Sequence, residues 1–375
     1  MSTSFFEDLS IGKDLLQAIQ KMGFITPSPI QAEAIPFILD GRDIIGQAQT
    51  GTGKTAAFAI PIIEKIQPEK KYPQAIVLCP TRELAIQVSG EFQKLAKFKR
   101  SLKIVSLYGG QPIARQVRAL QQSPQIIVGT PGRVQDLLNR NLLDLSSASM
   151  LVLDEADEML NMGFRDAIER IFEYLPESRQ AILFSATMPQ SILTLSERYL
   201  QEPEYVYIEQ EVRPIPQIQQ HYLEVGRKVK TDVLVRLLKA DQYRLSLIFC
   251  NTKWQVDSLA KRMKLAGFNV EALHGGMTQS KRNKAMASFR QGQAPILIAT
   301  DIAARGIDVD NVEAVFNYDF PKDTEYYVHR IGRTGRAGKS GKAFTFVESS
   351  ELIEFKNIQK RLKIEIIQHE LPALA

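Results

Sequence analysis

Two short segments carry residue types at the spacing that nucleotide chemistry needs. The first, Ala48-Gln49-Thr50-Gly51-Thr52-Gly53-Lys54-Thr55, follows the apolar run Ile44-Ile45-Gly46 and opens another apolar segment at Ala56. Small residues between a strand and a helix let backbone N–H groups surround a β-phosphate. Lys54 can then neutralise β and γ oxygens, and the Thr55 hydroxyl can ligate Mg2+. The general pattern GxxxxGK[ST] has glycine where Ala48 stands, a departure of one methyl group. The second segment, Asp154-Glu155-Ala156-Asp157, ends the apolar run Met150-Leu151-Val152-Leu153 about 100 residues later. Asp154, at a strand tip, is placed to hold Mg2+, usually through water, and Glu155 to orient and deprotonate an attacking water. Adenine is a better base than guanine: Asn251-Thr252-Lys253-Trp254 and Asn283-Lys284-Ala285-Met286 lack the order and the acid of an Asn-Lys-x-Asp reader. Adenine is expected, hence ATP with Mg2+. A third segment, His329-Arg330-Ile331-Gly332-Arg333-Thr334-Gly335-Arg336, places Arg333 and Arg336 three apart and so adjacent on one helical face. Two guanidiniums so placed can stabilise charge developing on a γ-phosphate.

These residues sit at the ends of short apolar, β-branched runs. Ile44–Gly46, Ala75–Cys79, Ile126–Gly129, Met150–Leu153 and Ala181–Phe184 read as buried parallel strands. Amphipathic segments such as Glu83–Ala96, Gly132–Leu138 and Arg165–Leu175 lie between them. The alternation predicts an α/β sheet with helices on both faces. It returns with Ser246–Cys250, Asn269–Leu273, Ile296–Ala299, Ala314–Tyr318 and Ala343–Val347, so a second α/β domain is expected. The chain of 375 residues suits two domains. Residues 210–218, with Pro214 and Pro216 and no period, read as a linker between domains 1–209 and 219–375. Ala75–Arg82 and Leu247–Lys253 each run from an apolar strand through Cys to Thr and a cation, an echo suggesting that the halves share one topology.

Composition narrows the class further. Residues 1–210 hold 21 Lys+Arg against 24 Asp+Glu, and 211–375 hold 26 against 18, so the second half is the basic one. A basic domain is compatible with a polyanionic partner. The longest apolar stretch, Ala56–Ile63, is far below the ~20 residues of a spanning helix, and no membrane role is expected. Glu7 and Asp8 stand where a secretory signal would need basic residues, so a cytoplasmic location is expected. Cys79 and Cys250 read as two buried thiols.

Taken in order, the motifs resemble those of the DEAD-box ATP-dependent RNA helicases over almost the whole chain. Asp154–Asp157 is similar to the name-giving motif. Phe6 and then Gly23-Phe24-x-x-Pro27-x-Pro29-Ile30-Gln31 resemble the adenine-reading Q motif, which implies Gln31 on the adenine edge and Phe24 against the ring. Pro80-Thr81-Arg82-Glu83-Leu84-Ala85, Gly109-Gly110 and Thr130-Pro131-Gly132-Arg133 resemble the RNA-binding motifs of the first domain. Ser185-Ala186-Thr187 resembles the element that couples ATP to unwinding, with Asp157 and His329 as further coupling residues. In the second domain Phe249 and Asn251-Thr252, Gln279-Ser280-Lys281-Arg282, and Ala299-Thr300-Asp301 through Asp308 follow the family order. Leu273-His274-Gly275-Gly276 departs from it, since many relatives have Asp at the position of Gly276.

The resemblance implies two tandem RecA-like domains, with ATP contacted by Phe24, Gln31, residues 49–55 and Asp308, and metal held by Thr55 and Asp154. Catalysis is implied for Lys54, Asp154, Glu155, Arg333 and Arg336. RNA contacts are implied for Pro80, Thr81, Arg82, Gly110, Thr130, Arg133, Thr252 and Thr300. The expected activity is RNA-dependent ATP hydrolysis with local melting of short duplexes; an ATP-gated RNA clamp within a larger assembly and a DNA-directed motor are the rivals. A monomer is expected, with RNA of weak sequence preference as partner. Assembly proteins of RNA–protein particles, ribosomes or RNA-degrading complexes are possible further partners. After Arg336 the sequence reads as a last amphipathic helix, Leu352–Leu362, without a basic or Gly-rich tail, so the particular RNA is not legible.

Overall fold

The computed structural model describes residues 5–48, 51–208, 218–241, 243–304, 312–321, 324–335, 340–362 and 364–370. Gln49, Thr50, Asp308, Arg336 and positions 210–217 of the expected linker lie outside the described residues. The chain divides into two compact units, Met1–Gln210 and Glu211–Ala375, each built on one sheet.

The first unit contains β1 (Ile44–Gln47), β2 (Ala75–Leu78), β3 (Ile104–Leu107), β4 (Ile126–Gly129), β5 (Met150–Leu153), β6 (Gln180–Ser185) and β7 (Glu204–Tyr207). Its helices are α1 (Lys13–Lys21), α2 (Pro29–Leu39), α3 (Lys54–Lys65), α4 (Arg82–Leu95), α5 (Ile113–Leu120), α6 (Pro131–Asn139), α7 (Ala156–Asn161), α8 (Arg165–Glu173) and α9 (Gln190–Tyr199). All pairings are parallel, in the order β3-β4-β2-β5-β6-β1-β7. Successive strand residues point to opposite faces. Ile44, Val77, Val152 and Phe184 join one core with Ile30, Phe58 and Phe92, while Ile45, Leu78, Leu153 and Leu183 join another with Val134, Ile168 and Ile192. Continuous apolar runs are needed because both faces are covered. Phe58 is fully buried with Phe92 and Phe184 at centroid distances of 6.0 and 5.8 Å, and Phe58→Ala would cost about 3–5 kcal/mol.

The second unit has β8 (Ile218–Glu224), β9 (Ser246–Phe249), β10 (Val270–Leu273), β11 (Ile296–Ala299), β12 (Ala314–Asn317), β13 (Gly341–Val347) and β14 (Ile367–Gln368). Its helices are α10 (Lys230–Asp241), α11 (Lys253–Leu265), α12 (Gln279–Arg290), α13 (Asp301–Ala304), α14 (Thr324–Ile331) and α15 (Leu352–Leu362). Its strand order, β10-β11-β9-β12-β13-β8-β14, repeats that of the first unit strand for strand. The echo between Ala75–Arg82 and Leu247–Lys253 falls on the equivalent strands β2 and β9. Cys79 and Cys250 close those strands in the same way, donating N–H to Gly129 O and Ala299 O, each at 2.9 Å. Both thiols are buried and unbridged. Among the described residues no helix is long and apolar enough to cross a membrane.

Candidate nucleotide and nucleic-acid sites

Because every strand of the first sheet runs the same way, the segments that leave its carboxyl edge share one side of the unit, where open α/β sheets bind ligands. Across that edge, in sheet order, come Gly109-Gly110 after β3, Thr130–Arg133 after β4, Pro80–Arg82 after β2, Asp154–Asp157 after β5, Ala186-Thr187 after β6 and Ala48–Lys54 after β1. Motifs scattered over 140 residues of sequence therefore form one row.

At the β1 end, Gly51 and Gly53 have φ of 87° and 93°, the left-handed region that glycine enters without a steric penalty. Their alternation with Thr52 turns the backbone into α3, whose first residue is Lys54 and second Thr55. Lys54 is buried, and its Nζ donates to Ala48 O at 2.9 Å. The loop is braced from α2: Ser28 Oγ donates to Thr52 O at 2.8 Å and Gln31 Nε2 to Gly53 O at 3.1 Å. Gln31 Oε1 also accepts from Ser28 N at 3.0 Å, so Gln31 caps its helix and holds the phosphate loop at once. One amide hydrogen and one lone pair remain for a ligand. Phe24 is half-buried. It follows a helix stop in which Gly23 (φ 80°) donates N–H to Gln20 O at 2.9 Å and Phe24 to Ile19 O at 3.2 Å.

Asp154 N donates to Leu78 O at 3.0 Å, which seats the carboxylate at the tip of β5. The side chain is 3% exposed; burial pushes its carboxyl above the usual range, and the nearby Lys54 charge opposes that. Its Oδ1 is buried without a hydrogen-bond partner, an arrangement that proteins rarely tolerate unless a ligand completes it. Among the described residues no three His, Cys, Asp or Glu side chains are grouped so that they could hold a metal ion by themselves. A cation here would take one carboxylate, the Thr55 hydroxyl, phosphate oxygens and water, the donor set of Mg2+. The residues fit that ion.

Glu155 has φ 53° and ψ 53°, left-handed for a residue with a Cβ, and forms the N-cap of α7. Such a conformation costs about 1–3 kcal/mol and persists only where the surroundings impose it. They do so through Asp157, two residues on and 1% exposed. Its Oδ2 accepts from both the N–H and the hydroxyl of Thr187 at 2.8 Å, and its Oδ1 from Glu158 N at 3.0 Å. Its own N–H donates to Ser185 Oγ at 3.3 Å, and that hydroxyl donates to Thr187 O at 2.7 Å. The turn after β5 and the turn after β6 are thus one hydrogen-bonded knot.

Toward the β3 end, Thr81 caps α4 by accepting from Leu84 N at 3.2 Å, and Arg82 begins the helix. The Arg82 guanidinium lies over Gly110, where a Cβ would come within 2.0 Å of Nη1 and φ is 83°, so only glycine fits. Arg133 donates from Nη1 and Nη2 to Gln111 O at 3.3 Å. Burial lowers its pKa, with Asp136 opposing and Arg82 and Arg140 adding to it. Arg82, Gly110 and Arg133 thus share one patch. Pro80 and Thr130 are buried and hold its backbone.

In the second unit Thr252 caps α11, accepting from Gln255 N at 3.2 Å as Thr81 does in the first. Thr300 N donates to Leu273 O at 3.2 Å, which places Thr300 beside the turn at His274–Gly276. Half-buried Arg333 donates Nε to His329 O at 3.3 Å. Gln279 and Arg282 are buried at the start of α12.

Comparison with known proteins agrees with this geometry. The family description "DEAD/DEAH box helicase" matches residues 28–195, and "Helicase conserved C-terminal domain" matches 229–338. The chain is 50% identical over 372 residues to the DEAD-box ATP-dependent RNA helicase CshA of Bacillus subtilis (strain 168), covering 99% of this chain and 75% of the relative. The protein of the same name from Geobacillus kaustophilus is 49% identical over 369 residues, 98% and 79% of the two chains. The chain belongs to the DEAD-box family of ATP-dependent RNA helicases. Among solved structures, S. cerevisiae Dbp5 bound to RNA and ADP BeF3 is similar with a TM-score of 0.88 and 35% identity, covering 98% of this chain and 96% of that one. A DEAD box protein from the hyperthermophile Methanococcus jannaschii is 41% identical, with a TM-score of 0.56 over 99% and 100% of the two chains. The two parallel seven-stranded sheets are the tandem RecA-like domains of this family.

Within this DEAD-box chain, two features escaped the motif reading. One is Ser28, whose tie to the phosphate loop has no sequence signal beyond a helix cap. The other is Arg330, 1% exposed. Its Nε and Nη2 reach Asp301 at 2.6 and 2.8 Å, Nη1 donates to Asp319 O at 2.7 Å, and Nη2 also donates to Asn251 Oδ1 at 2.7 Å. Phe249 covers the guanidinium at 5.2 Å. Arg330 thereby joins the ends of β9, β11 and β12 and fixes α14, which ends at Ile331, so Arg333 lies in the turn after the helix and not on the helical face that its spacing suggested. The signal available was an arginine inside an otherwise apolar helix face.

Proposed function

We propose that this DEAD-box protein is an RNA-stimulated ATPase whose units close on single-stranded RNA, with non-processive melting of short duplexes or remodelling of RNA–protein assemblies. The observation that supports this best is a single sheet edge with Lys54 toward one end, Arg82, Gly110 and Arg133 toward the other, and between them the unpaired Asp154 oxygen and the Asp157–Thr187 knot. ATP takes residues 49–55 for its phosphates, Phe24 and Gln31 for adenine, and Asp308 from the second unit. Thr55 and Asp154 would hold Mg2+, which would supply positive charge to the triphosphate. Glu155 orients the attacking water and takes its proton as the water oxygen bonds to the γ-phosphorus. Arg333 and Arg336 stabilise the charge on the γ-phosphoryl oxygens as the bond to the β–γ bridging oxygen breaks. Asp157, Ser185, Thr187 and His329 couple these events to RNA.

RNA contacts from Pro80, Thr81, Arg82, Gly110, Thr130, Arg133, Thr252 and Thr300 go to sugar and phosphate, so sequence preference is weak. Each phosphate neutralised adds about 0.7 to the slope of log affinity against log salt. Because both ligands favour the closed form, each raises the affinity for the other by the same factor. The test is a labelled short RNA duplex with ATP or a non-hydrolysable analogue, with turnover measured in parallel. RNA-stimulated turnover with strand release is expected. Tight, salt-sensitive RNA retention without strand release would favour the clamp, and equal stimulation by DNA would favour a DNA-directed motor.

A further inference from the structure

The sole tryptophan of the chain, Trp254, is 70% exposed and is the second residue of α11. That helix packs through Val256, Leu259, Ala260 and Met263, so the indole is outside the seam that holds it to the sheet. Its position on the helix is nevertheless defined. Asp257, three residues on and therefore on the same side, meets His274 Nε2 at 3.1 Å. Lys253 runs along the same turn, its Cδ 3.7 Å from where a Cβ on Gly276 would lie. Trp254 therefore stands beside Thr252 and the His274–Gly276 turn. By strand order these are the counterparts of Thr81 and Gly109-Gly110, the first unit's RNA patch. At the position of Trp254 the first unit has Glu83.

From this placement we propose that Trp254 is a stacking platform for a nucleobase of the bound single-stranded RNA, a contact that the second unit makes and the first does not. The inference rests on the RNA-binding reading above. A flat indole beside a cation and a strand-end cap is the combination by which single strands are held without sequence readout: the cation and backbone groups take the phosphates, and the ring takes whichever base is adjacent. Substitution of so exposed a side chain leaves the fold intact.

The experiment uses the full chain, a non-hydrolysable ATP analogue and a fluorescein-labelled oligouridylate. Trp254→Ala is expected to weaken RNA affinity about 5- to 50-fold with little change in ATP turnover at saturating RNA, and Trp254→Phe to recover most of the loss. Leu265→Ala, an 81% exposed apolar residue at the far end of α11, is expected to bind as wild type. Since Trp254 is the only indole, quenching by unlabelled oligouridylate of fluorescence excited at the red edge, where tyrosine does not absorb, reports on it alone. Wild-type affinity in Trp254→Ala with no quenching, while the wild-type protein binds RNA normally, would overturn the platform and leave the RNA-binding reading standing. Failure of the wild-type protein to bind the oligonucleotide at all would overturn both.

Discussion

The two units share one strand order, yet the lysine and the aspartate that follow matching strands are bonded differently in the two. At the exit from the first strand, β1 leads through Gly51 and Gly53, both left-handed, to Lys54 at the start of α3. The equivalent β8 leads through Val225-Gly226-Arg227-Lys228-Val229 to Lys230 at the start of α10, and Gly226 has no positive φ. Lys54 donates to a backbone carbonyl of its own loop, whereas Lys230, 3% exposed, is paired with Glu348 at 2.8 Å. The acids differ in the same sense. Asp154 and Asp319 both donate a backbone N–H to the neighbouring strand, to Leu78 O and Phe249 O, and burial raises both carboxyls. Asp319 accepts from Asn251 N at 2.8 Å and Gln255 Nε2 at 2.9 Å, while Asp154 Oδ1 has no partner. A buried polar group is costly unless bonded. The second unit satisfies its lysine and aspartate internally, whereas the first leaves an oxygen that a bound cation can satisfy. Of these two carboxylates, only that of the first unit keeps an oxygen unbonded.

The largest expected effect tests what the second unit contributes in place of a nucleotide seat. Arg333→Ala is expected to lower kcat for ATP by about 10³- to 10⁵-fold with ATP affinity little changed, as measured by steady-state turnover and analogue binding. Near-normal turnover would remove Arg333 from the mechanism and leave that role to Arg336. Glu155→Gln is next, with turnover about 10²- to 10⁴-fold lower while ATP and RNA stay bound, because only the proton acceptor is lost. Preserved hydrolysis in that variant would move the base elsewhere. The lysines make the comparison direct. Lys54→Ala is expected to cut kcat/KM for ATP about 10²- to 10³-fold. Lys230→Ala is expected to leave ATP kinetics alone and to destabilise the protein by about 1–3 kcal/mol, since Glu348 and Asp319 lose their counter-charge. An ATP KM that responded to Lys230→Ala would mean that both units bind nucleotide, and the contrast would fail.

How much of this the sequence revealed depends on whether partners are close along the chain. The phosphate loop and Asp154–Asp157 are contiguous, so their chemistry is legible from spacing alone. Strands covered on both faces appear as unbroken apolar runs, and each of the ten runs read that way falls on a strand of the two sheets, overrunning it by one residue at most. Strands with exposed or polar positions do not announce themselves. β7 exposes Tyr205 and Tyr207 at 66% and 58%, and β8 carries Gln219, Gln220 and His221, so neither reads as a buried run. Arg330 was legible as a motif member but not as a hub, because Asn251, Asp301 and Asp319 reach it from three different strand ends. The double duty of Gln31 is of the same kind: its capping bond is local, and its bond to Gly53 spans 22 residues.

The smallest expected effect separates structural from ligand-binding work at two equivalent positions. Thr81 and Thr252 both accept a helix N–H three residues on, at 3.2 Å, but Thr81 is 5% exposed and Thr252 is open to solvent. Loss of a cap costs about 0.5–2 kcal/mol, and water can replace the missing acceptor only where it has access. Thr81→Ala is therefore expected near the upper end of that range in chemical denaturation and Thr252→Ala near the lower. If both hydroxyls also face RNA phosphates, the two variants lose RNA affinity to a similar extent despite their unequal stability, and Thr→Ser restores both properties at both sites. RNA affinity that followed stability instead would make the threonines caps and nothing more, and the RNA patches would then rest on Arg82, Arg133 and the backbone at Gly110 in the first unit, with Thr300 in the second.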